Sequence, residues 1–159
     1  MKKPLLLVAA GAAVALIATV ALVERNPGRE PEMATPVEAG DKPLRIAHGS
    51  EVDIGQYLMP GKTVIFDFTS RYCPPCEAIA PYLHRLHAKL DDLVVVEVDI
   101  NRPETRQIDW KSPVARQYEL TSIPHFKIFD GNGELAAEGD AAYKQIVGLI
   151  EEHLADDEG

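Results

Sequence analysis

The sequence predicts an α/β domain, a central mixed β-sheet flanked by helices, set behind an N-terminal apolar segment. Three observations predict it. Two nearly continuous apolar runs, residues 63–68 and 93–98, suit buried strands. Between them Ile79, Leu83, Leu86 and Leu90 recur at spacings of four, three and four, which lays one apolar stripe along a helix. Strand, crossover helix and strand form a right-handed parallel unit. Further on, Asp130-Gly131-Asn132-Gly133 separates two strand patterns, residues 124–129 and 134–138, and closes an antiparallel hairpin.

The elements follow in order. Met1-Lys2-Lys3 leads into residues 5–23, an uncharged apolar run. As a helix it would span roughly 28 Å, close to the hydrocarbon thickness of a bilayer. Residues 1–23 are therefore expected to form an uncleaved signal anchor. A cleaved signal peptide is the second choice, because Leu22 and Val23 prolong the apolar run past the small residues at Thr19-Val20-Ala21. Lys2 and Lys3 hold the amino end in the cytoplasm, which places the rest on the periplasmic, extracytoplasmic side of the inner membrane. Residues 24–43, rich in Pro, Glu and Gly, read as a flexible linker. Residues 44–159 form the domain, about 115 residues, enough for one core without disulfide staples.

Within the domain, residues 44–47 predict a short strand and 52–58 a short helix, before Pro60-Gly61 turns the chain into the run at 63–68. Beyond the second strand, residues 101–112 are irregular and contain Trp110, the only tryptophan. A short helix over 113–118 precedes the hairpin, and a last helix carries Tyr143, Ile146, Ile150 and Leu154 on one side. The predicted order is β-α-β-α-β-α-β-β-α. The acidic residues near the end, Glu151, Glu152, Asp156, Asp157 and Glu158, read as a solvated terminus. A net charge of −9 excludes nucleic acid as a partner, since phosphate binding needs a basic surface.

The two cysteines stand in Cys73-Pro74-Pro75-Cys76. A bridge across two residues closes almost no loop and stabilises little, so chemistry explains the pair better than scaffolding does. The motif sits where the strand hands over to its helix. Cys73 would occupy the helix cap, where free N–H groups and the helix dipole favour a thiolate. Pro74 and Pro75 are well tolerated in a first turn, and Cys76 lies one turn on, within bridging reach. Cys73 can then attack a substrate disulfide and Cys76 resolve the mixed disulfide.

With Phe66-Asp67-Phe68 before the pair, Ile79-Ala80-Pro81 after it and Ile123-Pro124 further on, the sequence resembles the thioredoxin family over about 110 residues, nearly the whole domain. The resemblance implies a thioredoxin fold. It also implies a thiol–disulfide oxidoreductase with no cofactor beyond the Cys73–Cys76 disulfide. Protein thiols and disulfides would be its substrates, with an upstream protein as electron donor and the membrane contacted only through the N-terminal segment. Asp67 holds the place of a buried aspartate that serves the second cysteine as proton acceptor; the alternative is a solvent-facing strand carboxylate. Pro81 matches a helix-kinking proline. Pro124 matches a cis-proline facing the dithiol, which would let Ile123 pair its main chain with an extended substrate.

The departures matter too. Tyr72 stands where most relatives have tryptophan, at a substrate-facing position, and Pro-Pro replaces Gly-Pro between the cysteines. The two prolines remove N–H donors, and no histidine lies between the cysteines. The Cys73 thiolate is thus less stabilised and the couple more reducing, which points to a reductase or a disulfide relay. Trp110 is expected to pack its loop onto the body rather than touch substrate. Glu97 is either a second carboxylate near Asp67 or a solvated strand end. His84 and His87 are expected as exposed helix residues. A zinc site shared with the cysteines would require breaking the helix, and covalent haem is excluded because Glu77 follows Cys76. His125 has no assigned role. The rival to an enzyme is a tethered binding module that holds an extended segment beside Pro124 with the dithiol idle.

Overall fold

The computed structural model describes residues 40–155. The expected anchor, most of the expected linker and the acidic residues 156–158 lie outside the described residues. The chain runs β1 (Leu44–Ile46), a 3-10 turn (Ile54–Tyr57), β2 (Thr63–Thr69), α1 (Pro74–Lys89), β3 (Leu93–Asp99), α2 (Pro113–Gln117), β4 (His125–Phe129), β5 (Leu135–Glu138) and α3 (Asp140–Leu154). The five strands form one mixed sheet in the order β1-β3-β2-β4-β5. β3 pairs in parallel with β1 and β2, while β4 pairs antiparallel with β2 and β5.

Strand periodicity sorts the core into two layers. Val64, Phe66, Phe68, Val94, Val96 and Val98 face one side, where they meet Ile46, Ile54, Ile100, Val114 and Leu120. The intervening Ile65, Leu93 and Val95 face the other side, against Ile79, Leu83 and Leu86 of α1 and Ala142, Ile146 and Leu154 of α3. Both faces of β2 and β3 are therefore covered, which is why their sequences run apolar rather than alternate. Asp67 and Glu97 share parity with Ile65 and Val95, so both carboxylates point to the α1 side of the sheet.

Four expectations are corrected. The short helix over 52–58 is only a 3-10 turn, closed by the Asp53 carboxylate accepting from Gly55 N–H at 2.9 Å. Tyr143 was expected on the buried side of α3 but is 45% exposed; its stripe is Ala142, Ile146 and Leu154. His87 is not exposed. It is buried on α1, its Nδ1 accepts from Val95 N–H at 3.0 Å, and its Nε2 lies 2.7 Å from the Gly40 carbonyl. With Nδ1 accepting, the ring proton sits on Nε2 and donates to Gly40. Trp110, finally, covers its loop only in part: it stays 41% exposed, and Ile108 is the loop residue packed against the β1-side core.

One glycine is required by close approach. Ala47, His48 and Gly49 all have positive φ, at 72°, 48° and 83°. A Cβ on Gly49 would lie 2.6 Å from Arg102 N and 2.8 Å from its Cα, a clash with backbone that cannot rotate away. Gly49→Ala is expected to destabilise the fold by roughly 1–3 kcal/mol for the backbone conformation alone and by more for the clash, read as a lower urea midpoint. An unchanged midpoint would show that this turn yields freely.

Candidate active site

The turn after β2 prepares the dithiol. Ser70 accepts twice: its Oγ from Tyr72 N–H at 3.1 Å and its carbonyl from Cys73 N–H at 3.0 Å. Its hydroxyl in turn donates to the Asn101 side chain. Cys73 is left extended as the N-cap of α1, with Pro74 and Pro75 in the first turn. Its Sγ accepts from Cys76 N–H at 3.3 Å, the nearest amide the two prolines allow. Cys73 and Cys76 are joined in a disulfide, their Cα atoms 5.3 Å apart. Both are buried.

Across the sulfurs, the Ile123–Pro124 bond is cis, and the Ile123 carbonyl oxygen lies 3.7 Å from Cys73 Sγ. Pro75 and Pro124 line one surface hollow together with Ser122, His125, Gly139, Asp140 and Tyr143. Cys73, Cys76, Pro74, Pro75, Ile123 and Pro124 thus gather at one end of the sheet. Tyr72, directly before the motif, is half-buried, with the Arg71 guanidinium 5.3 Å over its ring, and it lines a different hollow from Pro124.

Asp67 lies deeper on β2, fully buried on a central strand rather than at an edge. Neither of its oxygens has a hydrogen-bond partner among the described residues. Its strand neighbours in register are Glu97 and Phe126, one acidic and one apolar. Burial first, and the Glu97 charge second, push its pKa up to about 8, against the pull of Arg45. Such a group exchanges its proton near neutrality.

Glu97 resolves in favour of the second carboxylate. It is 5% exposed, accepts from Arg45 Nε at 2.8 Å, and lies 2.7 Å from His84 Nε2. Arg45 reaches Asp99 as well, at 3.3 Å. Arg45 and the His84 ring are partners of Glu97, whereas Asp67 has no hydrogen-bond partner among the described residues, so the cost of burial falls on Asp67. The sequence reading missed Arg45 and His84; a signal was available, since Glu97 and Asp67 share a face once the two strands are placed in parallel. His84 and His87 turn to Glu97 and to backbone, and no metal-ligating group of three forms among the described residues.

Comparison with known proteins agrees with this geometry. The thioredoxin family model matches residues 52–152. Thioredoxin F1, chloroplastic, of Arabidopsis thaliana is 33% identical over 90 residues, covering 57% of this chain and 47% of that protein. The chain spans about half the length of such chloroplastic relatives. Thioredoxin H3 of the same plant is 33% identical over 93 residues, covering 58% of this chain and 71% of the relative. The crystal structure of Chlamydomonas reinhardtii thioredoxin f2 superposes with a TM-score of 0.50 at 23% identity, covering 70% of this chain and 96% of that one, a likeness of fold. A cysteine pair bridged at a helix cap, a cis-proline beside it, a buried acid on the strand leading to it and a family match across the domain lead to one conclusion: the chain belongs to the thioredoxin family.

Proposed function

We propose that the protein is a thiol–disulfide oxidoreductase that reduces or exchanges disulfides of exported proteins, tethered by residues 1–23 on the extracytoplasmic side of the inner membrane. The observation that carries the redox reading is the Cys73 sulfur at the cap of α1, bridged to Cys76 and faced by the Ile123 carbonyl. The tether rests on the uncharged run at 5–23 behind two lysines.

In the reduced protein the Cys73 thiolate attacks one sulfur of a substrate disulfide, and the other substrate sulfur leaves as thiolate. Cys76 then loses its proton to the ionised fraction of Asp67, a minor one at neutral pH given its pKa of about 8, and attacks Cys73 Sγ, expelling the second substrate sulfur. Two electrons have passed to the substrate, and Cys73–Cys76 is the disulfide again. A reduced dithiol protein must supply two electrons to restart the cycle. Ile123 and Pro124 offer main chain to the substrate, and Tyr72 stands directly before the motif.

Two features that face the sulfur support the reducing direction. Pro74 and Pro75 supply no N–H, so Cys76 N–H is the nearest donor from the first turn. The Ile123 carbonyl accepts from a thiol but repels a thiolate. Both favour the protonated sulfur and a reducing couple. Equilibration with glutathione should give a potential below about −200 mV, and a value near about −120 mV would reverse the assignment.

Trapping tests the whole reading. Full-length Cys76→Ser, expressed in intact cells, is expected to accumulate mixed disulfides through Cys73 that a membrane-impermeant reductant cleaves. Absence of any adduct would leave the dithiol idle and favour a binding module; adducts cleaved only after lysis would overturn the location alone.

A further inference from the structure

Residues 101–112 have no regular structure, yet they are held firmly. Arg102 donates twice to the Asp109 carboxylate, at 2.7 and 3.1 Å, and the Thr105 hydroxyl adds a bond at 3.1 Å. The Arg102 hydrogen bond, above all, holds the Asp109 carboxyl down at about 2, so this clasp stays ionised across neutral pH. Asn101 donates to the Gln107 carbonyl while accepting from Ser70, which ties the loop to the turn carrying Tyr72 and Cys73. Ile108 anchors it to the core.

On this fixed loop stands Trp110, 41% exposed, and it lines a groove with Tyr72, Arg106, Gln107 and Ile108. A large aromatic left in water on a rigid support is the kind of side chain that anchors interfaces. The groove is also cationic. Arg106 lines it and Arg71 lies over the Tyr72 ring; neither has a carboxylate partner among the described residues. In a chain of net charge −9, one guanidinium lining the groove and a second over the ring of a lining residue, neither with a carboxylate partner among the described residues, form a local concentration of positive charge. Guanidinium forks take carboxylates with paired, charge-assisted hydrogen bonds.

We propose that this groove binds an extended acidic segment of a partner protein, with carboxylates on Arg106 and Arg71 and an apolar neighbour against Trp110. Its position next to Tyr72 makes it a specificity site for sequence flanking the target cysteine. That part rests on the redox reading given above, whereas the binding itself does not.

The test uses the full-length oxidised chain and two synthetic peptides, identical except that glutamates in one are lysines in the other, with serine in place of cysteine. Trp110 is the only tryptophan, so its emission reports the groove directly. The acidic peptide is expected to shift that emission and to bind at least about tenfold tighter than the lysine peptide at low salt, with the preference shrinking as salt is added. Arg106→Gln should reduce the preference about tenfold. An unmoved emission, equal binding of both peptides, or an Arg106→Gln chain that binds like wild type overturns the proposal. In a second arm, cysteine-bearing versions of the peptides are reduced as disulfides alongside bis(2-hydroxyethyl) disulfide. Arg106→Gln should lower the ratio of acidic-peptide rate to small-disulfide rate about tenfold. Loss of both rates in equal measure would make Arg106 a structural residue and sink the specificity role. If the acidic peptide binds at Trp110 but wild type reduces no disulfide, the groove stands and the redox reading falls.

Discussion

Cys73→Ser is expected to lower the rate of protein-disulfide reduction by about a thousandfold or more, at least ~4 kcal/mol of activation free energy. A serine hydroxyl at neutral pH is a far poorer nucleophile than a thiolate, and nothing else at the helix cap can replace it. Cys76 is fully buried in the first turn of α1, so it is not placed to take over the attack. The fold should survive the change. The lost disulfide closes a loop of only two intervening residues, which limits its contribution to about 2 kcal/mol in the chain-entropy treatment. An insulin-reduction assay beside a urea melt separates the two effects. Residual activity within tenfold of wild type would remove Cys73 from the chemistry.

Asp67→Asn carries the largest expected effect on stability, and its sign depends on pH. The folded protein holds the Asp67 proton up to about pH 8, whereas the unfolded chain releases it near 3.8. Between those values the native state binds the extra proton, so stability falls as pH rises across that window and levels off above it. The asparagine variant cannot ionise and lacks this decline. Its stability relative to wild type should therefore grow from near pH 4 to pH 8, reaching several kcal/mol. Parallel urea-midpoint curves for the two proteins across that range would mean that Asp67 is ionised in the fold or free of strain. The same substitution should slow turnover by about a hundredfold, because the proposed mechanism uses Asp67 as the proton acceptor of Cys76.

The two expectations concern one device seen from opposite sides. A carboxyl buried beside Glu97, without a hydrogen-bond partner among the described residues, destabilises the domain at neutral pH. In the proposed mechanism that cost is the means by which its proton becomes exchangeable in the working range. Active sites are where such strain is retained.

Much of this was written in local pattern. The stripe from Ile79 to Leu86, the valines of β3 and the Asp130–Gly133 turn each specify an element through periodicity or turn chemistry within a few residues, and they fall where expected. The cysteine pair at the strand–helix junction was legible for the same reason. What only tertiary structure decided are the partnerships across the fold. Arg45 meets Glu97 over 52 residues of sequence, His87 is drawn inward by Val95 N–H and the Gly40 carbonyl, and Gly49 lies against Arg102. Ile108 packs against the core while Trp110 stays 41% exposed, and no local pattern ranks one against the other. Hydrophobic periodicity states which face of an element is buried; it carries no information on which charge from another element will arrive there, because that is set by strand order and register.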